Sequence, residues 1–248
     1  MTKLFLAIPL AFVYLTGAAS AQDDISLDTM AKRKSVQIFA DCVVKRHLEG
    51  ARQFVLSGSG SGGSEAAKIL DSECIGAATA DVGGMGGIVT LQAPRNEIRF
   101  AVAEALVHRD LRNFDPNEIA KAAPLPQSTL NSALYAIKDS AKLSENERQE
   151  RILQLERARS RDEALVALTN YGECVVRKNP VGARNLLESR VNGPEEGDAF
   201  QAMMPAFSAC LDKGKDFKSD RNLLRGTIAL NYYRLALAPK LPQPEAPK

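Results

Sequence analysis

The chain has 248 residues, with 32 lysines and arginines against 30 aspartates and glutamates, so its overall charge gives no case for nucleic acid or an anionic membrane surface as a partner. Tryptophan is absent and aromatic side chains make up 6% of the residues, which disfavours a surface built to stack sugars or bases. The four cysteines, Cys42, Cys74, Cys174 and Cys210, form no C-x-x-C or C-x-x-C-H, which removes thioredoxin-like chemistry and covalent haem.

In chain order, Lys3 and the uncharged run from Leu4 to Leu15 lead to Ala19-Ser20-Ala21, the form of a secretory signal peptide over residues 1–21, cut before Gln22. The run is about 12 residues and a membrane span needs roughly 20. No later stretch is apolar for that length. The expectation is an exported, periplasmic protein, secreted if not retained, with no membrane span after cleavage.

Beyond Gln22 the chain matches itself. Phe39-Ala40-Asp41-Cys42-Val43-Val44-Lys45-Arg46, with Gly50-Ala51-Arg52 after it, matches Tyr171-Gly172-Glu173-Cys174-Val175-Val176-Arg177-Lys178 and Gly182-Ala183-Arg184. Ser72-x-Cys74-Ile75 matches Ser208-x-Cys210-Leu211, and Arg95-Asn96-x-Ile98-Arg99 matches Arg221-Asn222-x-Leu224-Arg225. Three anchors in one order predict an internal repeat. The fold class is therefore all-α: two repeated three-helix halves, residues 22–114 and 144–238, joined by a helical connector over 115–143.

In each half the first helix carries the first cysteine. In the second half a capping box at Ser144 starts it and Asn179-Pro180 stops it. The second helix carries the second cysteine; it is expected over Glu65–Ile75 with Ser64 as N-cap, and its counterpart either starts or kinks at Pro205. The third runs from about Pro94 to Phe114, and its counterpart from Asp220 to about Leu237. In the connector, Asp115-Pro116-Asn117-Glu118 starts one helix, Pro124 ends it, and Ser128–Asp139 is another candidate. Prolines at 239, 242, 244 and 247 predict an extended or disordered tail over 239–248.

Export makes the four cysteines two disulfides. If each half is a copied unit, it closes its own bond: Cys42 with Cys74 and Cys174 with Cys210.

Among candidate sites, the G-x-G-x-x-G at Gly58, Gly60 and Gly63 lacks the strand before it that phosphate cradling needs, and reads as a flexible connector. Met85, between the glycine pairs Gly83-Gly84 and Gly86-Gly87, would suit an adaptable apolar binding loop. Arg95 and Arg99 share one helix face, as do Arg221 and Arg225, and two such faces would line an anion-binding groove. The alternative pairs the repeated arginines, Arg52 and Arg184 included, with the repeated acids Asp41 and Glu173. His47 and His108 fit no metal-ligand spacing, no G-x-S-x-G occurs, and Met203-Met204 has no neighbouring ligand that would hold copper. Glu195-Glu196 and Asp162-Glu163 are expected in loops or on solvated faces.

With no catalytic, cofactor or metal pattern in view, the reading is a helical binding or structural module of the cell envelope. Its partner would be a protein, a peptide or an anionic envelope component. The alternatives are a hydrolase-type enzyme with a scattered site and a holdase chaperone.

Overall fold

A computed structural model describes residues 27–57, 69–80, 95–125, 144–211 and 220–238, the side chains of 27–29 and 95 excepted. The signal segment, the glycine stretches 58–64 and 83–87, the candidate helix at 128–139 and the proline-rich tail lie outside the described residues.

All regular structure among the described residues is helical. We number the helices α1 (Leu27–Arg46), α2 (Leu48–Leu56), α3 (Ser72–Ala80), α4 (Arg95–Asp110), α5 (Glu118–Lys121), α6 (Glu145–Lys178), α7 (Pro180–Glu188), α8 (Pro194–Ala209) and α9 (Arg221–Leu237). None of these helices is long and apolar enough to cross a membrane.

Among the described residues, four helices therefore precede α5 and four come after it, rather than three. The extra one comes from a break in the cysteine-bearing helix. At His47 the backbone leaves helical space (φ −130°, ψ 49°) and α2 starts at once. Asn179 breaks the chain in nearly the same way (φ −144°, ψ 72°), its side chain accepts from the Gly182 amide, and Pro180 fills the first position of α7, where its missing N–H costs nothing.

The helix carrying Cys74 begins at Ser72, later than the sequence suggested. Asp71 is the stronger cap: its Oδ1 accepts from the amides of Glu73 (2.8 Å) and Cys74 (3.4 Å). Its counterpart α8 neither begins nor ends at Pro205; it starts with Pro194 and passes through. The Ser144 capping box is formed in both directions, and α6 then runs for 34 residues. Its first part is solvated, with exposed pairs such as Arg159–Glu163 at 2.8 Å.

Both disulfides are present: Cys42–Cys74 joins α1 to α3, and Cys174–Cys210 joins α6 to the end of α8. Between these stapled groups, α4 and α9 pack on each other. From Arg225 to Tyr233 every residue of α9 is buried, so this helix has no solvent face over its middle turns. Phe39 and Val43 of α1, Leu106 of α4, Leu186 and Leu187 of α7 and Met203 of α8 complete the core, each fully buried. Such side chains contribute roughly 1.5–3 kcal/mol apiece by leaving water.

Two glycines allow the closest helix approaches to α9. A Cβ on Gly226 would sit 2.5 Å from Cβ of Phe100 on α4, and one on Gly172 of α6 would sit 2.3 Å from Cγ2 of Thr227.

Candidate functional site

A helix leaves its last four carbonyls without intrahelical partners, and a cation there meets both the orphan oxygens and the negative end of the helix dipole. Three of the matched arginines, Arg99, Arg184 and Arg225, do this work. Arg99 of α4 donates to the carbonyls of Val55 (2.7 Å) and Ser57 at the end of α2. Arg225 of α9 donates to those of Leu187 (3.1 Å) and Ser189 (2.9 Å) at the end of α7. Arg184 acts alike on Leu111 and Arg112, as do Arg109 on Val44 and Arg177 on Ala122 and Ala123. His108 Nε2 lies 2.7 Å from the Leu187 oxygen, which fixes the proton on that nitrogen.

The repeated acids play little part in this. Asp41 meets Gln37 at 3.5 Å, and Glu173 takes Arg177 and the Leu125 amide. Arg52 pairs instead with Asp110, one nitrogen to each oxygen (2.9 and 3.0 Å), and the Tyr233 hydroxyl donates to the same carboxylate at 2.8 Å. Burial pushes the Asp110 carboxyl up, but these donors outweigh it and hold it below its ordinary value.

Arg225 also anchors a buried charge network. Its guanidinium binds Glu104 (2.7 Å) and Glu196 (3.1 Å), and Arg33 binds Glu196 from the other side at 2.8 Å. Glu196 is 3% exposed in the first turn of α8, so it is neither in a loop nor on a solvated face. It is tolerated there because two guanidiniums and the Asn192 amide satisfy it. Burial raises its pKa and Arg33 and Arg225 lower it further, for a net shift downward. Asn192 holds φ 61°, a left-handed conformation that asparagine accepts more readily than most residues. Its side chain takes a hydrogen bond from Arg33.

Two concavities flank α4 and α9. A cleft of about 350 Å³ lies between α1, α4 and the start of α9, with Arg33, Glu104, Asn222 and Arg225 in its walls. A wider groove of about 1190 Å³ lies where α1, α2, α4 and α9 end, and Tyr233, Leu111, Phe114 and Leu237 contribute to its floor. Around it stand Asp41, Lys45, Arg109 and Arg112, all exposed. Lys45 and Arg112 have no ion-pair partner among the described residues.

Among the described side chains of the arginines expected to line one groove, only that of Arg225 reaches the narrower cleft, and it does so with all its donors committed. Arg99 points to α2, and Arg221 lies over the Phe200 ring, 6.0 Å from its centroid. The Arg95 side chain and Met85 lie outside the described residues. Met203 is buried, whereas Met204 is 46% exposed. Arg33, Glu104 and Glu196 are functional or structural positions that sequence reasoning missed; none has a charged counterpart in the internal match to draw the eye. No group of three His, Cys, Asp or Glu able to hold a metal occurs among the described residues.

No family model, no curated protein and no solved structure matches this chain.

Proposed function

We propose that this protein is an exported, periplasmic helical binding module that takes an acidic, amphipathic segment of a partner protein in the wide groove. The observation that carries this is the pairing of Lys45 and Arg112, exposed and without ion-pair partners among the described residues, with an apolar floor that includes Leu111 and Phe114. The other guanidiniums nearby are committed: Arg109 to a helix end and Arg52 to Asp110. Exposed cations over apolar surface favour a partner that presents carboxylates beside leucine-like side chains, and they speed its arrival through long-range attraction. Export is supported by the two disulfides, which persist in oxidising compartments, and by the leader-like run before Gln22.

The test uses labelled amphipathic helical peptides of one leucine pattern with glutamate or lysine on the polar face. The acidic peptide should bind and weaken as salt is raised. The double variant Lys45→Glu, Arg112→Glu should lose about tenfold or more in affinity, or 1.4 kcal/mol. Equal binding of the lysine peptide, or unchanged affinity in the variant, would reject the groove. The mass of protein recovered from its compartment should fit a start at Gln22 less four hydrogens; retention of residues 1–21 would reject export by cleavage.

A further inference from the structure

We infer that the narrower cleft between α1, α4 and α9 binds a free α-amino acid with an apolar side chain. This site is separate from the wide groove and does not rest on its reading.

Size comes first. A volume of about 350 Å³ sits at the lower end of the roughly 300–1,000 Å³ of small-molecule sites. At ~30 Å³ per liquid water it holds about a dozen waters, enough for one amino acid and too little for a folded segment.

Charge comes next, and both signs are present on facing helices. Lys32 and Arg33 stand on α1, Glu97 and Glu104 on α4. A simple anion placed between them would face two carboxylates, and a simple cation would face a lysine and a guanidinium. A molecule carrying an ammonium and a carboxylate on adjacent atoms meets both walls. The mouth is able to open: Lys32 and Glu97 pair at 3.2 Å with side chains 45% and 34% exposed. Exposed pairs of this kind are worth little, so a ligand's own charges can replace them at small cost.

An unmatched atom identifies the donor side. Asn222 lines the cleft, and its Oδ1 is buried with no hydrogen-bond donor. A buried acceptor without a donor is costly, and an ammonium beside the Glu104 carboxylate supplies one. The rest of the lining includes the polar Gln37 and Asp220, and its apolar members Val36, Phe100 and Leu223 take the side chain. Bound this way, the amino acid would place its ammonium towards Asn222 and Glu104 and its carboxylate towards Lys32 and Arg33.

The experiment is calorimetry and thermal unfolding of the full protein with L-leucine, L-leucinamide and N-acetyl-L-leucine. Leucine should bind and raise the melting temperature by a few degrees at about a hundredfold excess over Kd. The amide lacks the carboxylate and the acetyl form lacks the ammonium, so each should bind about tenfold or more weakly. Asn222→Leu removes the orphan acceptor and fills the cleft; Lys32→Ala removes an exposed mouth cation and should leave the fold intact. Both should weaken leucine binding about tenfold, whereas Lys45→Glu, Arg112→Glu in the wide groove should leave it unchanged. No binding of leucine at millimolar concentration, equal binding of the capped forms, or full affinity in the folded Lys32→Ala protein would overturn the assignment.

Discussion

Phe100 of α4 lies directly against Gly226 of α9, and these two residues occupy the same place in the matching anchors, each one position after the repeated arginine (Arg99, Arg225). Large meets small at a position where two large residues would hold the helices apart. Gly226→Ala should therefore destabilise the protein by about 1–3 kcal/mol, because the new methyl meets Phe100 near its backbone, where little can move. Gly197→Ala on α8, where an added Cβ meets nothing within 4 Å, should instead stabilise by roughly 0.5–1 kcal/mol through helix propensity. Urea unfolding of both variants decides this; equal effects would count against the close approach.

The buried ions predict a second contrast. Glu104→Ala removes the main carboxylate from a guanidinium that is 2% exposed, and should cost about 3–5 kcal/mol. Arg159→Ala on the solvated part of α6 breaks an ion pair of similar length and should cost no more than about 1 kcal/mol. Chemical denaturation measures both. A Glu104→Ala protein as stable as wild type would mean that the network is dispensable.

These residues also show how much of the structure is legible in the sequence. Helical class comes from the absence of period-2 strands, and the disulfide pairing comes from reading the internally matching segments as two units that each close their own bond. The Ser144 capping box is a chemical signal that needs no tertiary context. The break at His47 carries no proline to announce it, although the match that sets His47 on Asn179 holds the hint. Helical spacing places Arg221 and Arg225 on one face but does not say that Arg225 turns inward. That outcome depends on Glu104, 121 residues away in the chain, and no local pattern encodes such a partner.

Each disulfide closes its own loop, with sequence separations of 32 and 36 residues. Cys42→Ser should leave one titratable thiol, Cys74, while Cys174–Cys210 still forms. The cost should be about 2–4 kcal/mol. Thiol titration and peptide mapping of the variant check this; a Cys74 cross-link to either remaining cysteine would contradict it.

Acid should destabilise the protein through carboxylates whose native pKa values lie below their unfolded ones. Asp71 is held well below the carboxylate range, first by the His47 hydrogen bond and then, against some burial, by Arg46 and the amides it caps. Asp110 and Glu196 are shifted the same way. Such groups lend their full stability above the unfolded pKa, near 4, and lose it as the pH falls through the lower folded values. The unfolding free energy should therefore drop between about pH 5 and pH 2. Asp71→Asn keeps a cap acceptor without the charge and should flatten part of that slope. An unchanged slope would mean that Asp71 contributes nothing to it.

The ion pair between Glu104 and Arg225 also sets an order of events. During synthesis Glu104 emerges 121 residues before its guanidinium, which at about 5–20 residues per second is a delay of roughly 6–24 s. Arg33 waits longer still, 163 residues, for Glu196. Throughout that interval the Glu104 carboxylate lacks the guanidinium that it meets in the folded protein. The early helices therefore cannot complete this charge network before the late ones are made. Closure of this network is thus left to α8 and α9, the last of the described helices to be made.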